Sequence, residues 1–206
     1  MSFSRDEARS FFAPLWGNAT TFVLEDRKSN LQFARTVVCL ANRSQEACSI
    51  MDLDALYSSN ADIVFSEVPD AGTTRILLPQ PGSEIELVFP KLFEAQQRII
   101  LVDSLNSLFH LLSQEDASSR SRKLAFAVES LSYLARTNRK AAVLTMYKRE
   151  GFTHPGRSRS ISDLSDLIAT VEVRGDELTV RSERSRVWPG GRFSTRIPLG
   201  SPFRSR

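Results

Sequence analysis

The chain has 206 residues, of which 41% are hydrophobic and 25% are charged, with a formal net charge of +3. These values are typical of a single globular domain with a sizeable core. No apolar run approaches the roughly 20 residues of a membrane-spanning helix. The first residues include Asp6 and Glu7 instead of an apolar signal stretch, so we expect a cytoplasmic protein, or a nuclear one in a eukaryote, with no membrane partner.

The two cysteines, Cys39 and Cys48, lie in apolar segments with no histidine or other cysteine nearby. This spacing forms neither a zinc motif nor a redox pair, so we expect buried, inert thiols and no metal site.

The positive charge is concentrated toward the end of the chain. From Lys148 onward there are 12 Lys and Arg residues against 7 Asp and Glu, and 11 of those 12 are arginines. Guanidinium groups suit phosphate and carboxylate recognition, so the excess indicates either nucleic acid or an acidic partner. A solvated basic tail is the alternative.

The first half of the chain alternates between β-rich and helical patterns. Apolar residues recur at helical spacing over 29–43, with Ser29 or Asn30 as the expected N-cap. The stretch 84–98 is ambiguous between a strand and a short helix. The predicted strands of this half are 20–26, 47–54, 61–67 and 74–80.

The second half contains the clearest buried strand, 98–103, whose continuous aliphatic run is typical of a parallel sheet covered on both faces. A helix is predicted over about 120–138 and a further strand over 141–146. Polar stretches at 113–123 and 147–162 are predicted loops. The remaining strands are joined by turns, which predicts an α/β protein with an antiparallel edge.

Polar residues follow three of the predicted strands. Ligands of doubly wound sheets bind beyond the carboxyl ends of the strands, so these residues are site candidates. They are Arg27, Lys28 and Ser29 after the first strand, Asp52 and Asp54 after the second, and Asp103 and Ser104 after the strand 98–103.

The order of these elements resembles the RecA/RadA/KaiC superfamily over about residues 18–200. The stretch 98–109, RIILVDSLNSLF, is similar to its Walker B strand, and 122–146 resembles the helix and strand that follow. The stretches 50–58 and 160–181 are similar to its second strand and its closing strands. The resemblance implies a RecA-like fold: a mostly parallel twisted sheet flanked by helices, with antiparallel strands toward the C-terminus, in a core domain at 18–206 after an N-terminal segment at 1–17.

The resemblance also implies roles for four residues, should any nucleotide bind. Lys28 and Ser29 would hold phosphate, Asp103 would steer magnesium, and Asp54 would be the counterpart of the catalytic carboxylate. However, a phosphate-binding loop needs G-x-x-x-x-G-K-[ST], and the corresponding stretch 22–29, FVLEDRKS, has no glycine. We therefore expect no ATPase activity, no catalytic residue and no cofactor, with ATP and magnesium as the alternative. In that case Asp103 is a retained strand-end residue, hydrogen-bonded by backbone N–H groups or by Ser104.

In recombinases of this family the two loops correspond to DNA-facing segments. Flexible basic loops with interleaved aromatic residues suit single-stranded DNA, although solvated surface loops have the same composition. The candidate DNA-binding residues are Lys148, Arg149, Arg157 and Arg159 in the second loop, and Arg120 and Arg122 in the first.

Three functions remain open from the sequence. The first is an inactive RecA-like paralogue that binds DNA as an accessory in recombination or repair. The second is a structural or regulatory subunit of a hetero-oligomeric RecA-fold assembly, with RecA-family or other protein subunits as partners and no DNA contact. The third is an ATPase with an unusual P-loop. The aromatic cluster at Phe11, Phe12 and Trp16 either contacts a neighbouring subunit or packs on its own domain.

Overall fold

A computed structural model describes residues 3–65, 74–79, 97–111, 116–148, 164–185 and 193–199. Within these ranges eight strands form one sheet in the order β3-β2-β4-β5-β1-β6-β7-β8. The strands are β1 Ala19–Leu24, β2 Cys48–Asp52, β3 Thr74–Leu77, β4 Ile99–Asp103, β5 Ala141–Tyr147, β6 Leu167–Arg174, β7 Glu177–Ser185 and β8 Ser194–Pro198.

The sheet is parallel from β3 to β6 and antiparallel at its C-terminal end. The five neighbouring pairs between β3 and β6 are parallel, whereas β7 runs antiparallel to both β6 and β8. Every residue of β2 and β4 is buried, and for β4 the continuous aliphatic run predicts this burial on both faces of the sheet. The predicted fold class, a mostly parallel α/β sheet with antiparallel C-terminal strands, is confirmed.

Helices cover both faces of the sheet. They are α1 Arg5–Phe12, followed by a 3₁₀ turn Ala13–Leu15, then α2 Arg27–Ser44, α3 Ala61–Phe65, α4 Leu105–Leu111 and α5 Ala117–Asn138. One apolar core packs α1 and α2 on the sheet around Phe12, Phe22 and Phe33. A second core packs α4 and α5 on the opposite face around Leu105, Leu124 and Leu131.

The N-terminal aromatic cluster packs on its own domain. Phe11, Phe12 and Leu15 are buried, and the Phe11 and Phe12 rings meet edge to face with centroids 5.1 Å apart. The ring of Trp16 stacks under the guanidinium of Arg98 at 4.5 Å. Contact of the segment 1–17 with another subunit stays a prediction.

Several predicted elements differ from the structure. Residues 61–65 form the short helix α3, so the strand prediction there is wrong; a five-residue apolar run does not distinguish the two. α2 is capped by Asp26, the last residue of the predicted strand 20–26, and not by Ser29 or Asn30. α5 begins at Ala117, so most of the predicted loop 113–123 is helical. The ambiguous stretch 84–98 lies almost wholly outside the described residues.

Both cysteines are buried and reduced, as predicted. Burial raises the pKa of the Cys48 thiol to about 12, which makes it an unreactive group. Across the described ranges, the helices lack the combination of length and apolar character that a bilayer span requires.

Candidate functional site

The connection between β1 and α2 is short. β1 ends at Leu24 and α2 begins at Arg27, so only Glu25 and Asp26 lie between them. The Asp26 side chain accepts a hydrogen bond from the Ser29 backbone N–H at 2.7 Å. That bond holds the pKa of Asp26 below its usual range. The connection is therefore an ordinary N-cap, with a carboxylate already on the N–H groups that would otherwise face a ligand.

The stretch 22–29, which the resemblance aligns with a phosphate-binding loop, is not a loop. Phe22 lies inside β1, paired with Thr145 on one side and Ala169 on the other. Lys28 and Ser29 lie in the first turn of α2. A phosphate cradle needs several consecutive loop N–H groups that point inward. Here residues 22–24 belong to the strand ladder, and the N–H group of Ser29 bonds to the Asp26 carboxylate.

Asp103 ends β4 and is fully buried. Its Oδ1 accepts hydrogen bonds from Asn30 Nδ2, on the first turn of α2, and from Thr145 Oγ1 on β5 at 2.6 Å. Ser104 does not contact it, because the Ser104 hydroxyl pairs with that of Ser107 at 3.0 Å. Asp103 is thus a hydrogen-bonded strand-end residue as expected, but the expected donors are wrong.

Burial raises the pKa of Asp103 to about 6. The hydrogen bonds from Thr145 and Asn30 lower the pKa and the charge of Asp54 raises it, but burial outweighs the rest. The nearby Tyr57 hydroxyl also lowers the pKa of Asp103. The two groups do not meet the geometry of a hydrogen bond, so Tyr57 Oη and Asp103 Oδ2 are both buried with no hydrogen-bond partner among the described residues. Among the described residues, no Lys, Arg or His forms an ion pair with Asp103.

Two asparagines extend this polar cluster. Asn30 Nδ2 also donates to Tyr147 Oη at 2.8 Å, and the Tyr147 backbone N–H donates to Asn106 Oδ1 at 2.8 Å. Burial raises the pKa of the Tyr147 hydroxyl, so that it stays neutral. The sequence analysis gave Asn30 another role, as a candidate N-cap, and missed Asn106. The available signal was an asparagine within an apolar stretch, since Asn30 is fully buried and Asn106 nearly so.

The two aspartates after β2 have different partners. Asp52 accepts backbone N–H bonds from Leu56, Tyr57 and Ser58 at 2.8, 3.1 and 2.8 Å, so it fixes the loop that follows the strand. Asp54 accepts the hydroxyl of Ser107 at 2.6 Å. Asp54 and Asp103 therefore lie near each other at the carboxyl ends of β2 and β4, and each accepts hydrogen bonds from different protein donors.

A cavity of about 350 Å³ opens at the carboxyl ends of these strands. Its charged lining comprises three carboxylates, Glu25, Asp26 and Asp54, and the cations Arg27 and Lys148, with His110 beside them. Among the described lining residues, negative groups thus equal or outnumber positive ones, and this balance opposes a polyanion. Within the ranges described, no three His, Cys, Asp or Glu side chains converge in a way that could hold a metal ion.

The candidate DNA-binding residues are only partly described. Arg149, Arg157 and Arg159 lie outside the described residues. Lys148 follows β5 and lines the cavity. Arg120 and Arg122 lie on α5, where the Arg120 guanidinium stacks 4.9 Å from the centre of the Phe109 ring and Arg122 is exposed.

Comparison with solved structures finds many chains of similar fold. A KaiC-like protein, PH0186, from the hyperthermophilic archaeon Pyrococcus horikoshii OT3 superposes with a TM-score of 0.58 at 12% identity, over 89% of this chain and 88% of that chain. The fold is RecA-like. No protein-family description matches the sequence, and no curated protein is significantly similar to it. At this identity the likeness concerns the fold alone, and function has to be argued from the site.

Proposed function

We propose that this protein is a RecA-fold subunit that does not hydrolyse nucleotides and serves as a structural part of a protein assembly. The observation that carries the proposal is the connection between β1 and α2. Its two residues, one of them a capping carboxylate, replace the glycine-rich loop that wraps the phosphates in P-loop enzymes.

The contacts of Asp103 support the same conclusion. In P-loop enzymes a hydroxyl at the start of the helix and an aspartate hold magnesium between them. Here the hydroxyl residue at the start of α2 is Ser29, and Asn30 beside it donates its amide directly to Asp103 Oδ1. That carboxylate oxygen already bonds to a protein donor, which supports a site that needs no magnesium ion.

The surface of α5 favours protein contact over catalysis. Phe126 and Tyr133, seven residues apart on one helix face, are 63% and 66% exposed. Exposed aromatic side chains are enriched at protein interfaces.

The test of the proposal is twofold. Phosphate release from Mg-ATP should stay at the level of a protein-free blank and should not change in Asp54→Asn. The native mass of the protein purified from its own cells should exceed that of one 23.1 kDa chain and include other polypeptides. Release above the blank that falls in Asp54→Asn would overturn the proposal, as would a solitary monomer.

A second candidate, a DNA-binding accessory, is favoured by the arginine-rich last quarter and by Lys148, which forms no ion pair among the described residues. It predicts salt-sensitive binding of single-stranded DNA that is lost when Arg157 and Arg159 are reversed to glutamate. Affinity that is absent at low salt, or unchanged by the reversal, would remove this candidate.

A further inference from the structure

β8 forms one edge of the sheet, because β7 is its only partner among the strands described. The Leu199 N–H bonds to the Asp176 carbonyl at 2.6 Å, and the Ser182 N–H bonds to the Phe193 carbonyl at 2.9 Å. Hydrogen-bonded pairs alternate along an antiparallel ladder, so the backbone groups of Ser194 and Arg196 point away from β7. An edge of this kind can accept a further strand.

A groove of about 330 Å³ lies beside this edge, between α1, α2 and β8. Its volume falls at the lower end of the range of ligand pockets. Its floor is apolar and made of Phe3, Phe11, Leu40 and Ile197. The groove therefore has room for a large apolar side chain next to backbone groups that can pair.

The rim of the groove is acidic. Asp6 and Glu7, in the first turn of α1, both line it. Hydrogen bonds from Ser4 lower the pKa of Glu7, so that it stays ionised, and Asp6 forms no ion pair among the described residues. The cation on the rim, Arg196, already lies 3.8 Å from Glu177. A positive charge on the bound segment therefore favours binding in this groove.

We propose that β8 and the groove bind an extended segment of a partner protein. The segment adds to β8 as a strand and places a large apolar side chain on the floor and, two residues away on the same face of the strand, a lysine or arginine against Asp6. This inference rests on the proposed function, because it supplies a contact through which a structural subunit joins its assembly.

The test uses short capped peptides and the full chain, followed by backbone amide NMR. The probe peptide has a central phenylalanine and a lysine two residues away, so that both side chains lie on one face of the added strand. In one control peptide glutamate replaces the lysine, in a second alanine replaces the phenylalanine, and in a third alternate backbone nitrogens are methylated. The variants are Asp6→Lys and a matched control, Asp62→Lys, which reverses an exposed acid on α3, away from the groove.

We expect the probe peptide to shift the amide signals of Ser194 and Arg196 and to bind more tightly than all three control peptides. Asp6→Lys should weaken its binding about fivefold or more, and Asp62→Lys should leave it unchanged. Equal binding of the glutamate peptide, shifts confined to other surfaces, or no binding would overturn the inference. Titration of the same sample with Mg-ATP separates the two proposals, because nucleotide binding would contradict the proposed function whatever the peptides do.

Discussion

At the scale of single residues, the proposed function depends most on Asp103. It is a fully buried carboxylate that accepts hydrogen bonds from Asn30 and Thr145 and has no counter-cation among the described residues. Burial of a charged carboxylate costs free energy, so burial raises the pKa of the Asp103 carboxyl to about 6. Asp103 is part of a buried polar cluster, and the proposed function assigns it no metal ion.

The raised pKa predicts how Asp103→Asn changes stability with pH. Because the folded-state pKa lies above the ordinary value of 3.8, the folded protein binds the proton more tightly, and the wild type loses stability as pH rises from about 4 to about 6. The variant has no such loss. The unfolding free energy of Asp103→Asn minus that of the wild type should therefore increase by about 2–3 kcal/mol between about pH 4 and about pH 6 and stay constant at higher pH.

Denaturant unfolding of both proteins between pH 4 and 8 measures this difference. Subtracting the two curves cancels the opposite contributions of Asp26 and Asp116, whose lowered pKa values give stability that is lost as pH falls. A difference that does not vary with pH would contradict the account of Asp103.

A second buried carboxylate, Asp166, has a structural role. It accepts the Ala19 backbone N–H at 2.9 Å, the Ser132 hydroxyl and the Arg136 guanidinium at 3.0 Å, so it joins the start of β1 to α5. Asp166→Ala should lower the unfolding free energy by about 2–4 kcal/mol, because it leaves buried donors unpaired. Arg136→Ala is the control and should cost about 1 kcal/mol, since the Arg136 side chain is 65% exposed. Equal losses would show that the charge pair, and not the buried donors, carries the stability.

At the scale of elements, the proposed absence of nucleotide binding depends on the connection between β1 and α2. Asp26 lies two residues after the end of β1, caps α2 and accepts the N–H group of Ser29. A short polar connection of this type is a stable way to join a strand to a helix, and it leaves no loop to reshape around a ligand.

The capping role gives a prediction for this connection. Asp26→Ala should lower the unfolding free energy by about 1 kcal/mol, the usual value of an N-cap bond. Glu25→Ala is a matched control one residue away, exposed and without a hydrogen bond, and it should change stability by less than about 0.5 kcal/mol. Thermal or urea unfolding distinguishes them, and a loss at Glu25 as large as at Asp26 would argue against the cap.

The element order was largely predictable from the sequence, whereas several boundaries were not. The run that forms β4 is aliphatic up to its last residue, and the runs that form β2 and β5 are mostly apolar, which indicates buried parallel strands. The run at 61–65 is equally apolar but helical, and its pattern is too short to decide. The seven-residue helix α4 was not predicted at all, because it follows directly from the strand and shares its apolar composition.

At the scale of the whole molecule, the sheet brings Asp54, Asp103 and the start of α2 to one edge, as the order of strands predicts. The sequence could not reveal which side chains pair there. Asn30 and Asp103 are 73 residues apart, and their hydrogen bond depends on how α2 is seated against β4 and β5. The composition of the 22–29 stretch pointed to a lost phosphate loop, but only the structure shows that strand and helix residues take its place.

On the proposed function, the RecA-like fold is a scaffold in which the carboxyl ends of the strands are occupied by the protein's own side chains. Asn30 and Thr145 bond to Asp103 Oδ1, Ser107 bonds to Asp54, and Asp26 bonds to the start of α2. Among the described residues that line it, the remaining cavity has at least as many carboxylates as cations. Each of these features opposes a magnesium-bound triphosphate.

The most direct test of this claim is a calorimetric titration of the full chain with Mg-ATP, beside Lys28→Ala. We predict no saturable heat at millimolar nucleotide and no difference between the two proteins, because Lys28 lies on a helical turn and not beneath a phosphate loop. Saturable binding by the wild type that Lys28→Ala abolishes would contradict the account.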